Sequence, residues 1–312
     1  MKILVTVPIK EFPATCKILE NFAEVTYLEY PPYDDVLKII DQFDGYIPNA
    51  RTSIDENLLK KASNLKVISM PSMGINHIDV DACQKYNVKL HCLAYNRDFI
   101  RNIYSTSEYT LGLILSILKK YPSSSNSVLE KGNWQATNFR GFDLQGKTIG
   151  IIGFGNIGSQ LNELLYGFHV KVLKNDPYIK QLDETYVDFD TIIKESDIIT
   201  MHVPLTEETK GMMNKDVFNK MQNTYFINAS RGEVVVDKDL ITALKNKNIK
   251  AAALDVISNE TPEGVNDHVL VKYARKNSNL LITPHCGGSS NDGLTQIFKY
   301  SANKLINELK KC

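Results

Sequence analysis

The segment Gly146 to Gln160, GKTIGIIGFGNIGSQ, constrains the fold more than any other stretch of this chain. A short apolar run, Thr148 to Ile152, ends abruptly in Gly153-Phe154-Gly155-Asn156-Ile157-Gly158, after which Leu161, Leu164, Leu165 and Phe168 recur at helical spacing. The pattern reads as strand, glycine turn and helix. A second apolar run, Val170 to Leu173, leads to Asp176, eighteen residues beyond Gly158, where the second strand of a βαβ unit should finish. A dinucleotide site requires this spacing. Gly153 makes the tight turn, Gly155 lets the backbone approach a pyrophosphate, and Gly158 lets the helix pack closely on its strand. The helix N-terminus then turns free N–H groups and a partial positive charge towards the phosphates. Asp176 is placed to accept hydrogen bonds from the adenosine ribose hydroxyls. A glycine-rich turn without a ligand is the bland alternative for a lone motif of this kind; here strand, helix and distal acid stand in register.

At 312 residues the chain is long for one hydrophobic core, so two domains are expected. Its 36 lysines and arginines balance 36 aspartates and glutamates, which leaves no global field to draw nucleic acid or an anionic membrane, local patches aside. The first residues, MKILVTVPIK, lack the apolar stretch and cleavage site of a signal peptide, and no run reaches the roughly 18 apolar residues of a membrane span. A cytoplasmic protein is expected. The cysteines, Cys16, Cys83, Cys92, Cys286 and Cys312, are scattered and without CxxC spacing, which argues for reduced thiols and against a zinc site.

Strand-like runs at Ile3 to Val7, Ala23 to Leu28, Gly45 to Pro48, Val67 to Met70 and Val88 to Cys92 alternate with helical patterns. The alternation implies a parallel sheet with helices on both faces. A long periodic stretch, Ser105 to Lys120, is expected to lead as a helix into the second domain, with Ser123 to Ser127 a loop after it. Beyond the glycine motif the same rhythm continues through Ile198 to His202, Thr224 to Asn228, Ala251 to Val256 and Leu280 to Thr283. The final helical stretch, Asn291 to Lys311, is expected to cross back and close the first domain. The fold class is therefore α/β with two doubly wound parallel-sheet domains: 1–98 with 287–312, and 99–286.

Three further stretches carry a family resemblance: Asn228-Ala229-Ser230-Arg231-Gly232, Leu254-Asp255-Val256 followed by Glu260, and Thr283-Pro284-His285-Cys286-Gly287-Gly288. With the glycine motif, their order and spacing from Val67 to Ser290 resemble the D-isomer-specific 2-hydroxyacid dehydrogenases. The resemblance implies a Rossmann NAD-binding domain, a flavodoxin-like, discontinuous substrate domain, NAD as cofactor, and a small 2-oxo or 2-hydroxy acid as substrate. It also implies a homodimer joined through the helix from Ser105 and the segment running to Arg140, Trp134 included, with Trp134 covering the nucleotide domain of its own chain as the alternative. Carried over residue by residue, Arg231, Glu260 and His285 are catalytic, and Arg231 and His285 also touch substrate and cofactor. Met73 and Gly74, within Ser72 to Asn76, resemble the substrate loop. Asn156, Ile157, His202, Val203, Pro204, Ala229, Ser230, Asp255, Gly287 and Gly288 resemble cofactor contacts, with Asp255 facing the nicotinamide carboxamide. Some relatives of this fold are transcriptional corepressors, so an NAD(H)-sensing binding protein is the rival reading.

The residue types suit those roles. An arginine at the carboxyl end of the strand YFIN lies where open α/β sheets bind ligands, and its planar guanidinium can grip a carboxylate with two parallel hydrogen bonds. A 2-oxo acid needs a proton on its carbonyl oxygen as hydride reaches the carbon, and histidine changes charge near neutral pH. Glu260 is suited to fixing the tautomer of that histidine and favouring its charged form, though alone it would read as a solvated loop acid. The chain departs from the family in HCLAYNRDFIRNIYSTSEYT, where the usual proline is missing and the loop is longer. Arg97 and Arg101 in that loop, with Arg51 after another strand, are candidates for binding a phosphorylated substrate or a second carboxylate, with solvated surface charge as the alternative.

Overall fold

In the computed structural model, which describes residues 1–75, 77–179, 183–261 and 264–312, the chain divides into two compact units. One comprises Met1–Ile103 with Ser290–Cys312, the other Tyr104–Ser289. Each is built on one parallel sheet.

The first unit holds β1 (Lys2–Val5), β2 (Glu24–Tyr27), β3 (Gly45–Ile47), β4 (Val67–Met70) and β5 (Lys89–Cys92), in the order β2-β1-β3-β4-β5. Ile3, Leu4 and Val5 are all fully buried, which explains why β1 reads as a continuous apolar run with no alternation: helices cover both of its faces. Val36, Leu58 and Ala82, from the helices Tyr33–Ile39, Glu56–Lys61 and Val80–Lys85, pack on one face with Leu4 and Ile68. The helices Pro13–Glu20 and Asn291–Leu309 cover the other, joining Leu19, Phe298 and Leu305 to Ile3, Val5 and Ile47. The Phe12 and Phe298 rings meet edge to face at 5.1 Å, and the Ser69 hydroxyl on β4 donates to the Ser301 carbonyl at 2.9 Å.

The second unit holds β6 (Thr148–Ile152), β7 (Lys171–Asn175), β8 (Ile198–Met201), β9 (Thr224–Asn228), β10 (Ile249–Leu254) and β11 (Leu280–Ile282). Their order is β11-β10-β9-β8-β6-β7. The strand order therefore reverses at β6, whose neighbours are β7 on one side and β8 on the other. Ligands of open α/β sheets bind beyond the carboxyl ends of strands at such a reversal. Gly153 follows β6 and His202 follows β8, so the glycine turn stands at that point.

The expected loop at Ser123 to Ser127 is instead part of a helix, Tyr121–Lys131. Pro122 suits a first turn, where its missing N–H costs nothing. The Ser123 and Ser124 hydroxyls donate to the carbonyls of Lys120 and Tyr121 at 3.1 and 3.0 Å. This helix buries no residue within the chain, and its few apolar residues, Tyr121, Val128 and Leu129, are too sparse among the serines to mark a helical period. Among the described residues no helix is long and apolar enough to cross a membrane.

Candidate functional site

The glycine turn is shaped by contacts that a side chain would break. Gly153 lies at φ +88°, and a Cβ there would stand 2.6 Å from the His202 carbonyl oxygen. At Gly158 a Cβ would come within 2.2 Å of the Gly153 carbonyl oxygen, so the helix Asn156–Leu165 can lie against its strand only with glycine at this position. At Gly155 nothing lies within 4 Å of where a Cβ would be. Gly155 caps that helix with no side-chain hydrogen bond, so Asn156 and Ile157 open its first turn to an incoming anion. A backbone cradle with open space at its middle glycine and an uncapped helix start fits a dinucleotide pyrophosphate.

Asp176 follows β7. Its Oδ2 accepts from the Phe154 N–H at 2.9 Å and its Oδ1 from the Tyr178 N–H at 3.0 Å, so it braces the glycine turn while each oxygen keeps a lone pair for a ribose hydroxyl. Lys174, the nearest cation in sequence, is already engaged. Its ammonium lies 5.0 Å from the centres of both the Phe154 and Tyr186 rings and 3.5 Å from Asp183.

Three strand ends carry the polar constellation. After β9, Asn228 is fully buried and folds the turn over itself. Its Oδ1 accepts from the Ser230 N–H at 3.0 Å and hydroxyl at 2.8 Å, while its Nδ2 donates to the Arg231 carbonyl at 2.8 Å. Arg231 is half-buried and spends one guanidinium N–H on the Ser230 carbonyl at 2.7 Å. The next residue, Gly232, sits so close to the loop after β10 that a Cβ would stand 2.0 Å from the Ile257 carbonyl carbon. This contact draws the arginine turn against the loop bearing Glu260. Ser258 ties that loop down from its other side, donating to Asp237 at 2.6 Å, and His268 lies 3.3 Å from the same carboxylate.

After β11, His285 Nδ1 is hydrogen-bonded to Glu260 Oε1. The glutamate's other oxygen lies 3.4 Å from the Ile257 N–H. The carboxylate against Nδ1 lifts the imidazole pKa above its ordinary value, while burial and the Arg231 guanidinium push the other way. Asp255, only 2% exposed, accepts from the Thr283 hydroxyl and the Cys286 and Gly287 N–H groups, so a buried charge ending an apolar strand has its partners.

The structure thus brings Arg231, Glu260, His285, Asp255, Ser230 and Gly287 together on neighbouring strand ends. Ala229 and Ser230 are buried, and Gly288 is exposed with open space at its Cα. His202 Nε2 meets the Thr200 hydroxyl at 2.9 Å; burial pushes its pKa down to about 3, leaving a neutral ring whose Nδ1 finds no partner among the described residues. Val203 packs on the core and Pro204 is exposed. Met73 and Gly74 belong to the first unit, where the Ser72 hydroxyl donates to the Gly74 carbonyl at 3.0 Å; Asn76 lies outside the described residues. In the same unit the Arg51 guanidinium stacks 4.7 Å over the Tyr30 ring, and Arg101 pairs with Asp98 at 3.9 Å. Asn228 and Thr283 carry no role in the sequence reading yet organise the site. An asparagine closing a strand just before a turn is a recognisable signal; Thr283 offers none.

Residues 111–287 match the family model described as D-isomer specific 2-hydroxyacid dehydrogenase, NAD binding domain. A D-3-phosphoglycerate dehydrogenase of Archaeoglobus fulgidus is 31% identical over 316 residues, covering 99% of this chain and 58% of that protein. The chain spans little more than half the length of such dehydrogenases. A hydroxypyruvate reductase of Thermotoga maritima is 30% identical, covering 90% of each. Among solved structures, a D-lactate dehydrogenase from Aquifex aeolicus complexed with NAD and lactic acid superposes with a TM-score of 0.80 at 26% identity, covering 100% of this chain and 96% of that one.

Proposed function

The chain belongs to the D-isomer specific 2-hydroxyacid dehydrogenase family, and from that premise we propose that it interconverts a small 2-oxo acid and its D-2-hydroxy acid with NAD. The observation that carries the reading is the His285–Glu260 pair beside Arg231. NAD, when bound, supplies or takes up hydride at the substrate carbon. Arg231 holds the substrate carboxylate through its planar N–H groups and polarises the neighbouring carbonyl. His285 gives a proton to the carbonyl oxygen during reduction and recovers it during oxidation. Glu260 keeps the imidazole in the tautomer and charge state that make this possible. Met73 and Gly74 are proposed to offer backbone N–H groups to the carboxylate. A cytoplasmic setting is consistent with five free thiols. Oxidation of NADH by a panel of 2-oxo acids tests the activity; tight NADH binding with no turnover on any of them would favour the sensing reading.

The proton role makes a pH prediction. Reduction needs protonated His285, so activity is present below its pKa and falls as pH rises through it. Because Glu260 is what raises that pKa, Glu260→Gln should move the falling limb of kcat/KM to lower pH. A limb that stays in place in a folded, cofactor-binding variant would remove Glu260 from the relay.

Asp176 sets the cofactor form. Its charge repels a ribose 2′-phosphate, and Lys174 is held between two rings and Asp183. NADH should therefore be preferred over NADPH by about tenfold or more in kcat/KM. Equal use of the two would overturn the placement of Asp176.

We also propose a homodimer. Leu129 and Trp134 are 80% and 86% exposed, and Tyr121 and Val128 lie bare on a helix that buries nothing within its own chain. A second copy can cover this apolar strip by twofold symmetry. Sedimentation at micromolar concentration should give a species of two 35.2 kDa chains, and a monomer would reject the proposal.

A further inference from the structure

His285 lies at φ +55°, a left-handed conformation that residues with a Cβ seldom adopt. Something must hold it there. Four hydrogen bonds run from its segment to a single residue, Asp255. The His285 N–H donates to the Asp255 carbonyl at 2.9 Å. The Thr283 hydroxyl and Cys286 N–H donate to Oδ1 at 2.6 and 2.8 Å, and the Gly287 N–H to Oδ2 at 2.7 Å. Successive N–H groups around a left-handed residue form a concavity for an anion, and here the anion is the chain's own carboxylate. Oδ1 has two lone pairs, and both are taken. Of its two donors one is backbone; the Thr283 hydroxyl is the one that a substitution can remove.

We propose that Thr283, acting through Asp255, is a positioning residue that locks His285 in its left-handed conformation and so keeps Nδ1 against Glu260. Thr283 touches neither proton nor substrate in this account. Without its hydroxyl, the carboxylate can turn about its side-chain bonds and release the Cys286 and Gly287 N–H groups. Residue 285 then relaxes towards right-handed or extended backbone, and the ring swings away from its partner. The inference rests on the reading of His285 as the acid and base of the reaction.

The test is Thr283→Val, which keeps the shape and removes the hydroxyl, beside Thr283→Ser, which keeps the hydroxyl. The first readout is the His285 imidazole pKa, followed by NMR in the protein without added cofactor. The charged groups facing the ring are Glu260, Asp255 and Arg231, with Tyr109 and Cys286 beside Asp255. Glu260 contributes the largest upward shift, so its loss in the valine variant should lower the pKa. The second readout is steady-state reduction of a 2-oxo acid: kcat should fall about 10- to 100-fold, the cost of misplacing a reacting group by about an ångström, while KM for NADH stays within about twofold. The serine variant should resemble wild type in both. Should the valine variant fold poorly, Thr283→Ala is read the same way. A folded hydroxyl-free variant with wild-type imidazole pKa and kcat overturns the proposal, and so does a serine variant no better than valine. If wild type itself reduces no 2-oxo acid, the reading of the reaction fails while the imidazole titration still judges the lock.

Discussion

His285→Ala should lower kcat for 2-oxo acid reduction by about 10²- to 10⁴-fold, the range over which a positioned general acid acts. NADH binding, followed by fluorescence titration, should weaken far less than kcat falls, because the glycine turn and Asp176, proposed to hold the pyrophosphate and the adenosine ribose, are left untouched. The size of the loss follows from the chemistry: without a donor the oxyanion that forms as hydride arrives must take its proton from water. Alanine keeps a Cβ, so residue 285 meets the same left-handed constraint as in wild type, and the comparison isolates the ring. A fall in kcat of less than about tenfold, in a variant that binds NADH normally, would mean that another group donates the proton.

Gly232→Ala should damage the fold and the reaction together. The added Cβ would lie 2.0 to 2.3 Å from the Ile257 carbonyl carbon and oxygen and the Ser258 nitrogen. These are backbone atoms, with no side-chain rotation to make room. The loop beyond them is tied to Asp237 through Ser258, so it cannot simply lift away. Overpacking of this kind costs about 1–3 kcal/mol, and more where backbone must move. At about 2–4 °C per kcal/mol for a unit of this size, a melting temperature lower by several degrees is expected. Any relaxation that does occur parts Arg231 from the loop of Glu260, so surviving protein should also lose kcat/KM. Gly155→Ala is the control, since its Cβ would meet nothing within 4 Å and its φ is not positive. If the two variants melt together, the close approach at Gly232 is not a constraint on the fold.

The two parallel sheets were legible because their central strands, such as β1, β4, β6 and β8, are buried apolar runs punctuated by glycine, asparagine and proline; β6, β9 and β11 begin where their apolar runs begin. The glycine turn was legible for a different reason. Its three glycines answer three separate steric demands, and those demands fix the spacing. The helix Tyr121–Lys131 was not legible, because a serine-rich segment with no buried residue leaves no periodic trace within one chain. The helix Val269–Ala274, with Leu270 its only fully buried side chain, is too short to leave one either. At the site, sequence could nominate Arg231, Glu260 and His285 through resemblance, but not the forces that shape their surroundings. That Asp176 braces Phe154, that Lys174 is engaged by two rings, and that Asp255 gathers residues 283–287 are facts of three-dimensional closure between segments distant in sequence.

The helix Asn291–Leu309 has a consequence in time as well as in space. It supplies Phe298, Ala302, Leu305 and Leu309 to the core around Ile3, Val5 and Ile47, so the first unit is assembled from both ends of the chain. At Gly45 the fit is close enough that a Cβ would lie 2.9 Å from Leu309 Cδ1, and the sheet is shaped for that helix in particular. A ribosome delivers the N-terminal end first, and continuous domains fold as they emerge. Strands β1 to β5 leave the tunnel early with the helix Pro13–Glu20, yet the part of that face which this helix does not cover stays bare until Asn291–Leu309 has been made. The second unit has all six of its strands by Ile282 and can bury its core sooner. Of the two units, the one whose strands are synthesised first is therefore the one that finishes last, and until that helix arrives it is the apolar face of β3 and β4 that needs shielding from other nascent chains.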